Sequence, residues 1–456
     1  MLHLSDQNNV LGNYINTLCI GVDKEYTISG QHTNDGVKRG LRNLDGTGVL
    51  VGITSIGSVQ GYYVQDGERA PMPGELYYRG INVADIVEAH TQAKTFGYEE
   101  VAYLLLMGRL PNEEQYRYFK TVLSKSHQLP TCFAEDVILR SPSKDVMNML
   151  SRSVLALYAY DQFPEDNSIE NLMRQSIELI ARFPSIIASA YAIKRHRHDG
   201  KTLYIHIPKE HLTLSENFLR MLRRNKTFTM EEALLLDLML ILHAEHGGGN
   251  NSSFVCRALS SSGTDTYGAI SGAINSLKGP LHGGANAKVI EMLQDIRNNV
   301  SDICDENEVA SHLEKLLDKK AGDRSGKIYG LGHAVYTMSD PRAVMIKKYA
   351  RDLAEKKGRL KEFEFIESVE RLGLKKVSER KNLTLPQCAN VDLYSGFVYG
   401  LLDIPEELFT PLFALARITG WCAHRIEEVL TCNRIMRPAY RASVKKLPYV
   451  PASERG

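Results

Sequence analysis

Along most of the chain, apolar residues recur at spacings of three and four, the pattern of helices that bury one face. The pattern sets in at Asn82. NVADIVEAH starts one helix, and TFGYEEVAYLLLMGRLP carries another that stops before Pro111. Further helices are expected over EEQYRYFKTVLSKSH, KDVMNMLSRSVLALYAY, SIENLMRQSIELIARF and PSIIASAYAIKRHRH, the last ending in a basic run suited to a helix C-terminus. TMEEALLLDLMLILHAEH reads as a core helix, with Thr229 and Glu232 at capping-box spacing at its start. DTYGAISGAINSLKG, GGANAKVIEMLQDIRNN, ENEVASHLEKLLDKK, DPRAVMIKKYARDLAEKKG, SGFVYGLLD and ELFTPLFALARITGWCAHRIEEVL complete the helical set.

The first eighty residues differ. GVLVGITSIGSVQGYYV sets β-branched and aromatic residues between glycines, and turn signals in DGERAPMPGELYYRG precede a second extended piece. Near the other end, the charged block 347–380 contrasts with the apolar, glycine-bearing helices around it, as a solvated domain inserted in a larger one would. The expected fold is mainly α, in two helical domains with a small N-terminal β element. Its parts are a strand-bearing region over 1–80, a large helical domain from 81–282 and 391–440, a small one over 283–390, and a polar tail over 441–456.

Composition narrows the class. The chain has 456 residues, 43% hydrophobic and 24% charged, with a formal charge of +1, so bulk charge gives no reason to expect nucleic-acid binding. Its seven cysteines are widely spaced, odd in number and form no C-x-x-C pair, which favours a reducing compartment over a disulfide scaffold. MLHLSDQNNVLGNY has no basic start followed by an apolar run, and the most apolar helical stretch, 233–242, is too short to cross a bilayer and contains Asp237. A cytoplasmic protein with no membrane or nucleic-acid partner is expected.

Chemistry-bearing residues gather where helices begin or end: HAEHGGGN (243–250), GPLHGGANAK (279–288), YGLGHAVYTMSDPRA (329–343) and NVDLYSG (390–396). Arg417 in FALARITGW and Arg437 in NRIMRP follow in otherwise apolar surroundings. Taken singly, each has an ordinary reading. His282 could satisfy its own helix start, Asp392 a turn or cap, His333 a surface loop, and Arg417 could snorkel to water. His282 stands just before a helix N-terminus, whose positive potential favours a neutral imidazole. Pro341 starts a helix that Asp340 caps, yet Arg342 then occupies the first turn, where the dipole disfavours a cation and an anionic ligand would explain it. A metal is disfavoured for His243 and His246, because the chain reads H-A-E-H instead of H-E-x-x-H and glycines break the helix at once.

Jointly these stretches resemble the citrate synthase family, including the 2-methylcitrate synthases, in order and spacing from about 74 to 438. The resemblance implies a homodimer whose large and small domains close on oxaloacetate and so create the site for acetyl-CoA. It implies that Asp392 is the base, that His282 hydrogen-bonds the thioester oxygen, and that His333 polarises and protonates the ketone oxygen. His246, Arg342 and Arg417 resemble the oxaloacetate-binding set, with Arg437 completing the partner's site and His243 giving support from behind. The loop Tyr329, Gly330, Leu331 and Gly332 would pass near CoA. Acetyl-CoA, or propionyl-CoA in a 2-methylcitrate synthase, is then a co-substrate, with no metal and no tightly bound cofactor. Two positions depart from the common family pattern: KIYGLGH lacks a proline before the glycine loop, and Ala334 stands where arginine is usual. Both bear on the loop's stiffness and phosphate contacts.

Overall fold

The computed structural model describes residues 36–43, 46–381, 385–432, 434–442 and 446–455; residues 1–35 of the strand-bearing region, Cys19 and parts of the tail lie outside them. The chain divides into two units, Met1–Leu50 with Arg437–Gly456, and Val51–Met436. The described part of the first unit is mostly irregular, with short 3-10 turns at Arg39–Leu41 and Ala452–Glu454.

The second unit begins with a β-hairpin. Strands β1 (Gly57–Gln65) and β2 (Glu68–Tyr78) pair antiparallel, and a two-residue β3 (Ile81–Asn82) adds to β2. Asp66 and Gly67 both adopt positive φ in the two-residue turn, the geometry that Asp-Gly favours in tight hairpins. The register shifts at Gly61.

Helices make up nearly all of the rest: α1 (Val83–Ala93), α2 (Tyr98–Met107), α3 (Glu113–Lys125), α4 (Val146–Ala156), α5 (Ile169–His198), α6 (Leu214–Leu222), α7 (Met230–His243) and α8 (Asn251–Ser261). Then come α9 (Thr266–Lys278), α10 (Ala285–Asn299), α11 (Glu306–Leu317), α12 (Pro341–Lys356), α13 (Leu360–Lys381), α14 (Asp392–Leu401) and α15 (Phe409–Thr431). The fold is mainly helical with a small N-terminal sheet. Helix α15 is its axle: it packs against α2, α4, α5, α7, α8 and α9, and its Trp421 is fully buried. A second group, α10 to α14, packs within itself and meets the first chiefly where α12 touches α1 and α7. The charged block lies here, and α12 and α13 are tied by Lys347–Glu370 and Arg351–Glu367 pairs on their outer faces.

Local signals hold where side chains cap the backbone. Thr229 and Glu232 form the expected reciprocal capping box at α7, and Asp340 with Pro341 starts α12. Two helices escaped the pattern reading, α6 and α8. The first is announced by a second capping box, Thr213 with Glu216, and by Leu214, Phe218, Leu219 and Leu222 on one buried face.

The stretch expected to form two helices parting at Pro184 is one thirty-residue helix, α5. Proline inside a helix costs about 3 kcal/mol. Phe183, Ile186 and Ile187 beside it are each 0% exposed, and burying each such side chain contributes about 1.5–3 kcal/mol. Packing therefore outweighs the broken backbone bond. The joined helix is also long and apolar enough to cross a membrane, but 83% of its most apolar window is buried inside the protein.

Gly74 shows how closely the hairpin meets the segment before α12: a Cβ there would lie 2.1 Å from the carbonyl oxygen of Ser339. Gly74→Ala should lower stability by about 3 kcal/mol in chemical denaturation. Gly52→Ala, where nothing lies within 4 Å, should change it by less than about 0.5 kcal/mol.

Candidate active site

A cavity of about 350 Å³ opens where four helix ends meet the side of α15. It is lined by His246 beyond the end of α7, His282 before α10, His333 and Arg342 around the start of α12, Asp392 at the start of α14, and Arg417 on α15. Six of the seven catalytic and substrate-binding candidates thus come together from five separate stretches. The seventh, Arg437, is exposed and belongs to the other unit. A larger cleft of about 530 Å³, between α1, α7 and α12, is mainly apolar, and its His90 is already engaged by Thr95 and Glu100.

Helix α7 ends at His243, whose Nδ1 donates to the Met239 carbonyl at 2.7 Å. Gly247, at φ +84°, reverses the chain. Between them Glu245 turns inward and is fully buried, accepting from the Gly247 N–H and from His424 Nε2 at 2.9 Å. Arg257 reaches His424 Nδ1 at 3.0 Å. Arginine can only donate, so His424 carries its own proton on Nε2, toward Glu245.

Arg417 does not snorkel. It is 0% exposed, its Nε donates to the His243 carbonyl at 2.7 Å, and its guanidinium lies 4.7 Å from the Phe413 ring centre. Both terminal nitrogens lack a hydrogen-bond partner among the described residues. Burial pulls its pKa down to about 10, and Glu245 is the largest influence holding it up. A desolvated guanidinium fork at a cavity wall is a receptor for a carboxylate.

Arg342 is different. Its own cap, Asp340, accepts from Nε at 3.0 Å and Nη2 at 2.7 Å, and also from the Arg342 and Val391 backbone N–H groups. The unfavourable dipole position is thus offset by an adjacent carboxylate as well as open to an anion.

All four histidines at the cavity are held neutral. His282 and His333 fall to about 4 and His243 to about 3, each chiefly through burial, with positive arginines adding to it. His246 is pushed well below its ordinary value by the same causes, and its Nε2 is buried without a partner among the described residues. For His282 the cause is therefore burial and Arg417, where the helix start alone was expected to act. His333 Nδ1 accepts the N–H groups of Val335 and Tyr336, each at 3.1 Å, which places its single proton on Nε2. His282 Nε2 lies 3.3 Å from Ser252 Oγ, which is also 3.0 Å from Asn250 Oδ1.

Asp392 is half-buried in the first turn of α14, with its N–H on Asn390 Oδ1 at 3.0 Å. Burial raises its carboxyl to about 6, against a pull downward from Arg342. Above about pH 7 it is mostly ionised yet poorly solvated, which suits a general base.

The glycine loop is stiff without proline. Gly330 and Gly332 both take positive φ, Leu331 bridges Ala389, and Gly332 N–H donates to the Cys388 carbonyl at 2.8 Å. Asn390 closes the pairing through its N–H on Gly330 at 2.8 Å and its side-chain amide on Gly332 at 2.9 Å. Of the four loop candidates only Gly332 lines the cavity, beside Ala334; Tyr329 turns away to Asp323. Among the described residues, no three His, Cys, Asp or Glu side chains gather in a way that could hold a metal.

Sequence reading missed Glu245, His424, Asn390 and Tyr336. Glu245 stands between two histidines with no local sign of its burial, and His424 lies on an otherwise apolar helix.

The geometry has close relatives. The family model for citrate synthase, C-terminal domain, matches residues 43–439. A citrate synthase of Deinococcus radiodurans is 36% identical over 385 residues, 84% of this chain and 93% of that one. A 2-methylcitrate synthase of Shewanella oneidensis is 35% identical over 368 residues, 80% of this chain and 87% of its own. Among solved structures, citrate synthase from Thermotoga maritima superposes with a TM-score of 0.71 at 31% identity, covering 92% of this chain and 99% of that chain. The ternary complex of carboxymethyl coenzyme A and oxaloacetate with the Thermoplasma acidophilum citrate synthase gives 0.73 at 26% identity, with coverage of 92% and 99%. A mainly helical fold with a condensing-enzyme cavity is the class. The chain belongs to the citrate synthase family, and its reaction is a condensation of the citrate-synthase type.

Asp392 carries a measurable signature. Its folded pKa stands above the ordinary 3.8, so the folded state binds the extra proton between about pH 4 and 6, and ionisation above that range opposes folding. Asp392→Asn should be more stable than wild type at pH 7, with the advantage fading as pH falls toward 4 in parallel denaturation curves.

Proposed function

We propose that the protein condenses acetyl-CoA with oxaloacetate and hydrolyses the resulting citryl-CoA to citrate and CoA. The observation that carries this reading is one cavity holding a carboxylate poised near pH 6, neutral imidazoles that include His282 and His333, and a guanidinium fork without a partner among the described residues. Oxaloacetate supplies carboxylates for Arg417 and Arg342, with His246 beside them. Asp392 takes a proton from the acetyl methyl as His282 hydrogen-bonds the thioester oxygen. The enolate carbon attacks the ketone carbon of oxaloacetate, and His333 Nε2–H gives its proton to the alkoxide. Water then cleaves the thioester and releases CoA. A thioester methyl is a poor acid, so a positioned donor at the oxygen, worth about 10²- to 10³-fold, is needed beside the base.

In this reading the domain over 283–390 closes on that formed by 81–282 and 391–440, excluding water and completing the acyl-CoA site beside the 329–332 loop. The enzyme works as a cytoplasmic homodimer in which Arg437 reaches the partner's site. It needs no tightly bound cofactor. The second reading is 2-methylcitrate synthesis from propionyl-CoA, or both activities. It is favoured by the Shewanella oneidensis 2-methylcitrate synthase and by a Bacillus subtilis citrate/2-methylcitrate synthase 33% identical over 365 residues. One methylene is worth about 1–3 kcal/mol in a shaped pocket.

The test is release of CoA thiol from acetyl-CoA or propionyl-CoA with oxaloacetate. Acetyl-CoA should be the faster donor, and Asp392→Ala should lower kcat by about 10³-fold. Faster turnover of propionyl-CoA would favour the second reading, and no thiol from either donor would defeat both. Separately, oxaloacetate at about a hundred times its Kd should stabilise wild type by about 2.7 kcal/mol in thermal melts. It should leave Arg417→Met unmoved.

A further inference from the structure

Tyr336 is 2% exposed, and its hydroxyl has no partner among the described residues. A phenol left unsatisfied costs about 1–3 kcal/mol, so its ring must be what the site uses. The ring stacks on His333 with centroids 4.5 Å apart and planes 26° apart. It also meets His246 edge-on at 5.6 Å and lies 5.8 Å from the Arg342 guanidinium. Its backbone N–H is one of the two that fix His333 Nδ1.

The hairpin presses on the other side. A Cβ at Gly61, where β1 shifts register, would fall 2.5 Å from Tyr336 Cα, and one at Gly74 would fall 2.6 Å from Cδ1 of the ring. Two hydroxyls sew the contact shut. Thr337 Oγ1 binds the Gly61 carbonyl and accepts the Met72 N–H at 3.3 Å, and Ser339 Oγ accepts the Gly74 N–H at 3.0 Å. The hairpin is therefore a brace whose two glycines let the backbone of the 335–339 segment close against it.

We propose that Tyr336, backed by the β1–β2 hairpin, is a positioning residue that holds the His333 ring at the angle from which Nε2–H reaches the ketone oxygen. The proposal rests on the reading of His333 as that proton donor. An imidazole hydrogen-bonded at one nitrogen can still swing about that bond. A stacked ring removes the freedom, and misplacement by about 1 Å costs roughly 10²-fold in rate. Because the device acts on the angle of a donor and not on the anion receptor, it should act on kcat and spare the binding of oxaloacetate.

The experiment compares thiol release by wild type, Tyr336→Phe, Tyr336→Leu and Thr337→Val. Tyr336→Phe keeps the ring and should hold kcat within about twofold. Tyr336→Leu should lower kcat by about 10- to 100-fold, with the oxaloacetate KM changed less than about threefold. Thr337→Val, which loosens the brace without touching the imidazole, should lower kcat several-fold; it decides the matter if Tyr336→Leu does not fold. Undiminished kcat in the folded Leu variant, equal losses in Phe and Leu, or unchanged kcat in Thr337→Val with a misfolded Leu variant would each overturn the positioning role while leaving the functional reading intact. Absence of thiol release from wild type would overturn that reading, and this proposal with it.

Discussion

A guanidinium buried without a carboxylate of its own is the constraint around which the rest of the structure is arranged. Arg417 sits on the central helix, α15, with no exposure and two terminal nitrogens that find no partner among the described residues. Desolvating such a charge is expensive, by several kcal/mol, and the protein offsets the penalty in three ways. The His243 carbonyl takes Nε, the Phe413 ring lies beneath the cation, and the Glu245 carboxylate supplies a negative field. Glu245 is itself buried and is held by Gly247 and His424, which Arg257 supports in turn. What looks like a polar cluster in a helical core is a chain of partners that keeps one cation charged and still.

That positive charge reaches across the cavity. Burial already disfavours imidazolium, and Arg342 and Arg417 add to the effect, so the histidines remain neutral through the physiological range. Neutral imidazoles donate hydrogen bonds without adding positive charge, and at His243 and His333 the backbone decides which nitrogen donates. The same burial acts in the opposite sense on Asp392, raising its carboxyl to about 6. One environment thus makes weaker bases of the histidines and a stronger base of the aspartate. For the proposed reaction, a proton can leave carbon for Asp392 without an imidazolium competing for the carboxylate.

Much of this was legible in the sequence, for a definite reason. Caps and turns depend on neighbours within four residues, so the Thr229–Glu232 box, the Asp340–Pro341 start and the glycine turns could be read locally. The site was legible because its residues sit at such punctuation, and the resemblance of six motifs brought them together. What escaped depends on distant packing. Pro184 marks a boundary by local rules because proline breaks helices, yet the core around it outweighs the loss. The pairing of His424 with Glu245 spans 179 positions and leaves no mark at either end.

The departures from the family pattern show how a fold replaces one device by another. Proline would stiffen the glycine loop by restricting the unfolded as well as the folded chain. Here the stiffness comes from pairing, with Asn390 binding the loop through both backbone and side chain while its own carbonyl oxygen, Oδ1, accepts the N–H of Asp392. One asparagine therefore links the loop that carries His333 to the helix that carries the proposed base. A proline would act on the loop alone, whereas the asparagine bonds to both the loop and the Asp392 backbone. This coupling suits a site whose acid and base must keep a fixed separation as the carbon–carbon bond forms.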